Sequence, residues 1–289
     1  MSNQETSTIK NQARSLIDIS RFAEAANVLS HGLAVEPRDY ELLCLMSQVM
    51  LRTGRDPEAA TYAEQAIAVQ PEGDWGYRLR SFALRNYHAR ESLSSAKRAV
   101  EVHPQEPSNW HTLAAAELHL VNLDGARAAA QQMQALAPES FLSHQLLALV
   151  ALKEKKYEEA EAHCRRELAI NPNSYQGMNN LGVALLNRGK KREAVEALNL
   201  AAKMDPSHEL ARRNLRIAAD KSLPAALILI VFGFTLWQLS DSLDVGTLIL
   251  LVIGLSLVVL VSFIVLQRQT LRQLPPETQN YLKSLDRSR

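Results

Sequence analysis

Apolar residues recur at helical spacing along the first two-thirds of the chain. Residues 175–206 show the pattern clearly, because two apolar stripes there are separated by a polar Asn-Arg-Gly-Lys turn. The first stripe consists of Tyr175, Met178, Leu181, Leu185 and Leu186, and the second of Ala194, Leu198 and Ala201. Apolar positions three and four residues apart predict two amphipathic helices, and Gly189 in the turn is the residue type that commonly ends a helix.

Prolines divide this pattern at a nearly constant interval of 34 residues, with one interval of 33. They are Pro37, Pro71, Pro104, Pro138, Pro172 and Pro206. A small residue stands twelve positions before each of them, in the order Ala25, Ala59, Ser92, Ala126, Ala160 and Ala194. We therefore predict six repeats, in which the small residue lets two helices approach closely and the proline ends the second helix. The third unit is one residue short, and its first helix, around Trp75 to Leu84, is defined less sharply than the others.

These units resemble the tetratricopeptide repeat. Besides the period, the matching residues are Trp110, Leu113 and Ala114 in the fourth unit and Leu181 with Gly182 in the sixth. The resemblance implies an all-α fold, a right-handed superhelical solenoid of about six helix-turn-helix repeats with a capping helix. The repeats are predicted at about 6–37, 40–71, 73–104, 107–138, 141–172 and 175–206, within a solenoid over 1–206. The capping helix is predicted at 207–221, with Leu210 and Leu215 facing inward.

The composition changes abruptly after Lys221. Residues 223–239 are almost entirely apolar and uncharged, and residues 247–266 are uncharged and rich in Leu, Ile and Val. About 20 apolar residues cross a hydrocarbon core, and about 17 mark the lower limit. We therefore predict two transmembrane helices, a hairpin over 222–266 in contact with a lipid bilayer. Two alternatives stay open: buried helices of a soluble domain, and partial or re-entrant insertion of the shorter first segment.

Flanking charges predict the orientation of this hairpin. Basic residues precede and follow it, whereas the joining loop carries Asp241 and Asp244 and no basic residue. The flanking basic residues are Arg212, Arg213, Arg216 and Lys221 before it and Arg268 and Arg272 after it. The positive-inside rule then places the repeats, both termini and the modestly basic tail 267–289 in the cytoplasm. The composition favours a bacterial inner membrane, and a eukaryotic organelle membrane stays open as the alternative.

Charge and motifs exclude several classes of function. The chain has 32 basic and 31 acidic residues and a formal net charge of +1, so we expect no nucleic-acid partner. Phosphate-binding, zinc-protease and nucleophile motifs of the GxxxxGK[ST], HExxH, CxxC and GxSxG types do not occur. Cys164 falls on an apolar stripe and is predicted to be a buried structural thiol. The sequence therefore predicts no enzyme, no catalytic residue, no cofactor, no metal site and no small-molecule substrate.

Binding remains as the predicted function. In tetratricopeptide repeat proteins the first helices of the units line a concave groove that receives a protein or peptide, and the resemblance implies the same here. The candidate groove residues are Lys10, Arg14, Cys44, Gln48, Arg52, Arg80, His111, Gln145, Leu149, Asn179 and Val183. The first units offer basic groups and the last offer amides and aliphatic groups, so we expect a partner with an acidic end and an apolar stretch.

The leading hypothesis is a membrane-anchored scaffold for protein–protein interaction. The alternative is a structural subunit of a larger integral membrane complex, for secretion, envelope assembly or transport, in which the hairpin makes the main contact.

Overall fold

The computed structural model describes residues 3–205 and 209–219. Within these ranges the chain forms thirteen α-helices and no β-strand, which confirms the all-α prediction for this part of the chain. The helices are α1 Asn3–Asp18, α2 Phe22–Val35, α3 Tyr40–Arg52, α4 Asp56–Val69, α5 Asp74–Leu84, α6 Ala89–Val102, α7 Pro107–His119, α8 Leu123–Leu136, α9 Phe141–Lys153, α10 Tyr157–Ile170, α11 Tyr175–Asn187, α12 Lys191–Met204 and α13 Glu209–Ala219. The predicted membrane spans, 223–239 and 247–266, lie outside the described residues.

Consecutive helices pack into helical hairpins, and α2, α4, α6, α8 and α10 each end two residues before one of the periodic prolines. The six small residues that precede the prolines are all buried, with at most 1% of their surface exposed. Their partners on the first helices are also small. Ser47 Oγ donates to the Ala59 carbonyl at 2.8 Å, and Ser92 Oγ donates to the Ser81 carbonyl at 2.7 Å. The close approach predicted from the small residues is therefore confirmed.

The turn inside each hairpin follows a common rule with one exception. Five turns contain a residue with positive φ, namely Ser20, Gly54, Val121, Lys155 and Gly189. The next backbone N–H then bonds the carbonyl five residues earlier, as Lys190 does to Leu185 at 2.9 Å. In the third hairpin, His88 instead bonds the carbonyl of Leu84, four residues earlier, at 2.7 Å. The third unit is one residue shorter than the others, and this turn is where the residue is absent. The first helix of the unit is also shorter, since α5 has 11 residues and α3 has 13.

Two compact units divide the chain, one up to Pro172 and one from Asn173 onward. In the first unit, α1 to α10 form five hairpins. Each first helix packs against its own second helix and against the first helix of the next repeat. The first helices α1, α3, α5, α7 and α9 therefore form one layer, whose surface we call the first-helix face.

In the second unit, α13 packs against α12 and α11. Leu215 of α13 is fully buried beside Val195 and Leu198, as predicted for a capping helix. Leu210 was predicted to face inward as well, but 42% of its surface is exposed. A hydrogen bond of 2.9 Å from the Asn214 amide to Asn179 also joins α13 to α11.

Candidate protein-binding surface

Lys10 and Arg14, the two groove candidates of the first repeat, form ion pairs with carboxylates of the chain itself. Lys10 Nζ lies 2.7 Å from Asp39 and 3.4 Å from Glu41, both at the start of the second repeat. Arg14 pairs with the same Glu41 carboxylate and also donates to Asn11 at 3.4 Å. Two cations face two carboxylates here, so this end of the first-helix face offers little net positive charge to a partner.

The second repeat contributes one accessible cation. Cys44 is fully buried among Leu43, Ala63 and Leu79, and burial raises the pKa of its thiol to about 12. Cys44 was predicted to line the groove, but it forms part of the packing of α3 and presents no surface to a partner. Gln48 is half-buried on the same helix, whereas Arg52 at the end of α3 is exposed.

Arg52 lies over the ring of Phe22, with its guanidinium carbon 5.8 Å from the ring centroid. This distance is within the range of a cation–π interaction. Among the residues that the structure describes, Arg52 has no carboxylate partner. Its charge is therefore oriented by an aromatic ring and stays available to an anionic group.

Arg80 does not belong to the first-helix face. Its guanidinium bonds Glu64 of α4 at 3.0 Å, and Ser95 and Glu91 of α6 at 2.7 and 3.1 Å. It therefore joins two second helices, and its prediction as a groove residue was wrong. The equivalent of Cys44 one period later is Arg78, and the equivalent of Gln48 is Phe82.

Arg78, Phe82 and Arg85 are the site residues that the sequence reasoning missed. The guanidinium carbon of Arg85 lies 5.7 Å from the centroid of the Phe82 ring, and this ring lies 6.3 Å from that of His111 on α7. Arg78 makes an ion pair with Asp74 of its own helix at 3.5 Å. Arg85, like Arg52, has no carboxylate partner among the described residues.

His111 lies where these groups converge. Burial, and after it the positive charges of Arg85 and Arg78, lowers the pKa of His111 from its ordinary value. The imidazole is thus neutral at pH 7, and the charge of this patch resides on the arginines. We use the name arginine–aromatic patch for Phe82, Arg85 and His111 together with Arg52, which lies one repeat earlier over Phe22.

The fifth repeat is less charged. Gln145 of α9 donates from its amide to Glu167 of α10 at 3.5 Å. Leu149 is half-buried and packs on the apolar cluster that includes Leu146 and Val150. This part of the first-helix face therefore combines amide and aliphatic groups, as the sequence indicates.

The two candidates in the second unit have different environments. Asn179 is 8% exposed and accepts a hydrogen bond from Asn214 of α13, so its side chain is engaged within its own unit. Val183 is half-buried on α11.

Residues 3–205 and 209–219 contain no group of three or more His, Cys, Asp or Glu arranged around a common ion position. Over the same ranges, no helix combines the length and the apolar composition that crossing a bilayer requires. Both cysteines are free and buried. Cys164 is fully buried, which confirms the predicted buried thiol, and this burial raises its pKa to about 12.

The arginine–aromatic patch has the chemistry of an anion-binding surface. Guanidinium groups bind carboxylates through two parallel hydrogen bonds, and aromatic support limits the side-chain freedom that is lost on binding. In the fifth repeat, Gln145 and Leu149 of the first-helix face add an amide and an aliphatic group. Such a surface fits an extended protein segment that carries acidic and apolar side chains.

Known proteins share both the repeats and the fold. The sequence profile of the tetratricopeptide repeat matches residues 10–74 and 146–209. No protein of curated function matches the chain significantly in sequence.

Three solved structures show the likeness in fold. A chain of the APC/C hetero-tetramer Cut9–Hcn1 superposes with a TM-score of 0.69 at 13% identity, over 76% of this chain and 44% of that one. This chain thus spans less than half the length of that relative. PilW, a type IV pilus biogenesis factor, gives 0.64 at 13% identity, over 74% of this chain and 100% of PilW. A tetratricopeptide repeat protein from Parabacteroides merdae gives 0.52 at 13% identity, over 75% and 100% of the two chains.

Profile and fold agree with the hairpin geometry described above. Residues 10–74 and 146–209 therefore carry tetratricopeptide repeats, helical repeats that generally mediate protein–protein interactions.

Proposed function

We propose that this chain is a non-catalytic scaffold that binds an acidic segment of another protein on its first-helix face. The observation that carries the proposal is the contrast between two pairs of cations. Lys10 and Arg14 are matched by carboxylates, whereas Arg52 and Arg85 are held over aromatic rings without one. Oriented guanidinium groups without a carboxylate partner are complementary to the carboxylates of another protein.

The expected ligand is an extended segment with carboxylates beside apolar side chains. Its carboxylates would bind Arg52 and Arg85, in the second and third repeats. Its apolar side chains would contact the aliphatic surface around Leu149 in the fifth repeat. Charge-assisted hydrogen bonds contribute about 1.5–3 kcal/mol each, so two of them supply much of a moderate affinity.

We further propose that residues 223–239 and 247–266 anchor the scaffold in a bilayer. The support is their length, their lack of charge and the basic residues on both sides. A bacterial inner membrane, with the repeats and both termini in the cytoplasm, is the proposed location. Restriction to a membrane plane raises the effective concentration of the scaffold toward membrane partners.

The test is a crosslinking pull-down from detergent-solubilised membranes, with the full chain and with a version that ends at Lys221. If the shorter chain retains the same partners, the repeats recognise them and the hairpin is an anchor. If the partners are lost with the hairpin, the hairpin makes the main contact, and the alternative of a subunit within a larger membrane complex replaces the scaffold.

A further inference from the structure

Two histidines face each other inside the fifth hairpin, apart from the arginine–aromatic patch. His144 lies on α9 and His163 on α10, and their Nδ1 atoms are 3.2 Å apart. The ring centroids are 5.5 Å apart and the rings are tilted by 34°. His144 is 6% exposed, and 14% of the His163 side chain is exposed. The pair is thus nearly buried but has one side open to solvent.

A third polar group converges on the same point from a different helix. The Gln134 amide nitrogen of α8 lies 3.5 Å from Nδ1 of His144. The nitrogen and oxygen of a glutamine amide exchange places by a half-turn about the last side-chain bond, and the hydrogen-bond network decides between them. A half-turn therefore brings the Gln134 oxygen to Nδ1. Two imidazole nitrogens and one amide oxygen, from three helices, then share a small space.

The spacing of the two nitrogens matches that of two ligands of one metal ion. Imidazole nitrogens bind Zn²⁺ at about 2.0–2.1 Å in tetrahedral geometry, which places two of them about 3.3 Å apart. The observed separation is 3.2 Å. An ion between the two nitrogens would replace the hydrogen bond that joins them in its absence.

The outer surroundings of His163 favour the required tautomer. Its Nε2 atom faces Glu159 at 3.8 Å, and Glu159 is held by an ion pair with Arg127. Metal-binding histidines commonly direct their second nitrogen toward a carboxylate, which keeps the proton there and leaves the other nitrogen free to coordinate. The negative charge of Glu159 thus favours the proton on Nε2 of His163, which leaves its Nδ1 atom free to coordinate.

Some charged groups around the two histidines oppose a bound cation and one favours it. Burial first, and then Arg166 nearby, lowers the pKa of His144. Burial, His144, Arg166 and Arg127 lower that of His163, against Glu159. Neutral imidazole is the form that binds metals. The positive charges of Arg166 and Arg127 oppose a bound cation, whereas Glu159 favours it.

We propose that Nδ1 of His144 and Nδ1 of His163, with the Gln134 amide oxygen, bind one divalent ion of the Zn²⁺ type. A water molecule from the open side would complete a tetrahedral site. The ion would join α8, α9 and α10 and thereby stabilise the fourth and fifth repeats. This site is separate from the proposed protein-binding surface, and its test does not depend on a protein partner.

The test is a titration of the full, tag-free chain with Zn²⁺, followed by calorimetry and thermal melting. We expect one ion per chain and a rise in melting temperature. Co²⁺ in place of Zn²⁺ should give the visible absorption of a tetrahedral site. His163→Gln should abolish saturable binding, and Glu159→Gln should weaken it about tenfold, the range found for outer-shell partners. The matched control, His119→Gln, changes an exposed histidine and should bind as the unaltered chain does.

If His163→Gln does not fold, a measurement on the unaltered chain tests whether His144 and His163 bind the ion. Imidazole ¹⁵N spectra should show Zn²⁺ shifting the Nδ1 resonances of His144 and His163 and of no other histidine. Absence of saturable binding by the unaltered chain, undiminished binding by folded His163→Gln, or shifts confined to other histidines would each overturn the proposal.

Discussion

The guanidinium of Arg85 lies over the ring of Phe82, with its central carbon 5.7 Å from the ring centroid. A second arginine one repeat earlier, Arg52 at the end of α3, lies 5.8 Å from the ring centroid of Phe22, which begins the second helix α2. In both cases the aromatic ring holds the arginine without neutralising it. The side chain therefore loses less conformational freedom when a partner carboxylate binds, because part of that entropy has been lost on folding.

The pKa of His111 makes the stability of the chain depend on pH. Burial and the charges of Arg85 and Arg78 lower this pKa in the folded state, below its ordinary value of 6.5. The unfolded state then binds more protons at acid pH, so the free energy of unfolding is highest above pH 6.5 and falls as the pH falls toward the folded-state pKa. His111→Gln should flatten this decline between pH 7 and pH 5, as measured by urea unfolding at several pH values.

The control for this prediction is His119→Gln, because His119 lies on the same helix with an exposed side chain. A slope that changes equally in both variants would contradict the role assigned to His111.

Gly182 is required by the packing of the sixth hairpin. A Cβ atom at this position would lie 2.4 Å from Cγ and 2.8 Å from Cδ2 of Leu198, and 3.2 Å from the Ala194 carbonyl oxygen. Gly182→Ala should therefore lower the free energy of unfolding by about 1–3 kcal/mol, the usual cost of overpacking. Denaturant melts measure this difference.

The clash with Leu198 gives a control for this prediction. Leu198→Ala alone should cost about 2–5 kcal/mol through the cavity that it leaves. The double variant should cost clearly less than the sum of the two, because the added methyl group then has space. Strict additivity would show that Leu198 is not the obstacle.

Val121 occupies a backbone conformation that suits glycine. Its φ is 61°, 65% of its surface is exposed, and the corresponding turn positions in other hairpins are Gly54 and Gly189. Left-handed backbone costs about 1–2 kcal/mol for residues with a Cβ atom, and glycine loses about 0.5–1 kcal/mol more entropy on folding. Val121→Gly should therefore raise the free energy of unfolding by up to about 1 kcal/mol.

The reverse substitution tests the same explanation. Gly54→Val, at a φ of 74° with open space around the Cβ position, should lower the melting temperature without any steric clash. A neutral Gly54→Val would mean that the turn tolerates β-branched residues and that Val121 is not strained.

Much of the fold followed from local features of the sequence. The proline period and the small residue twelve positions before each proline mark the points of closest helix contact. A large side chain at these positions would keep the two helices of a hairpin apart. Gly189 likewise marks a turn with a φ of 77°, as predicted. The exposed Leu210 was mispredicted because a stripe of two leucines on a short helix does not distinguish which one reaches the core.

The candidate surface was predicted less well, for two physical reasons. Arg80 was predicted as the groove residue of the third repeat, but the 34-residue period carries Gln48 to Phe82, whose ring lies beside His111 on the first-helix face. Lys10 and Arg14 were predicted to be available, but Glu41 lies 27 residues beyond Arg14 in the sequence, and their pairing depends on how two repeats stack. Sequence periodicity gives the direction of a side chain, whereas its partners depend on tertiary contacts.

The most direct test of the scaffold is the affinity of the repeats for partners recovered in the crosslinking pull-down. Arg52→Glu with Arg85→Glu should weaken binding by about a hundredfold or more, since two charge-assisted hydrogen bonds are lost and each contributes about 1.5–3 kcal/mol. The control, Arg90→Glu with Lys97→Glu, makes the same change of charge at exposed positions of the second helix α6. Loss of affinity in the first variant alone, with both folded, is the predicted result. Equal affinity of the two variants would contradict binding on the first-helix face.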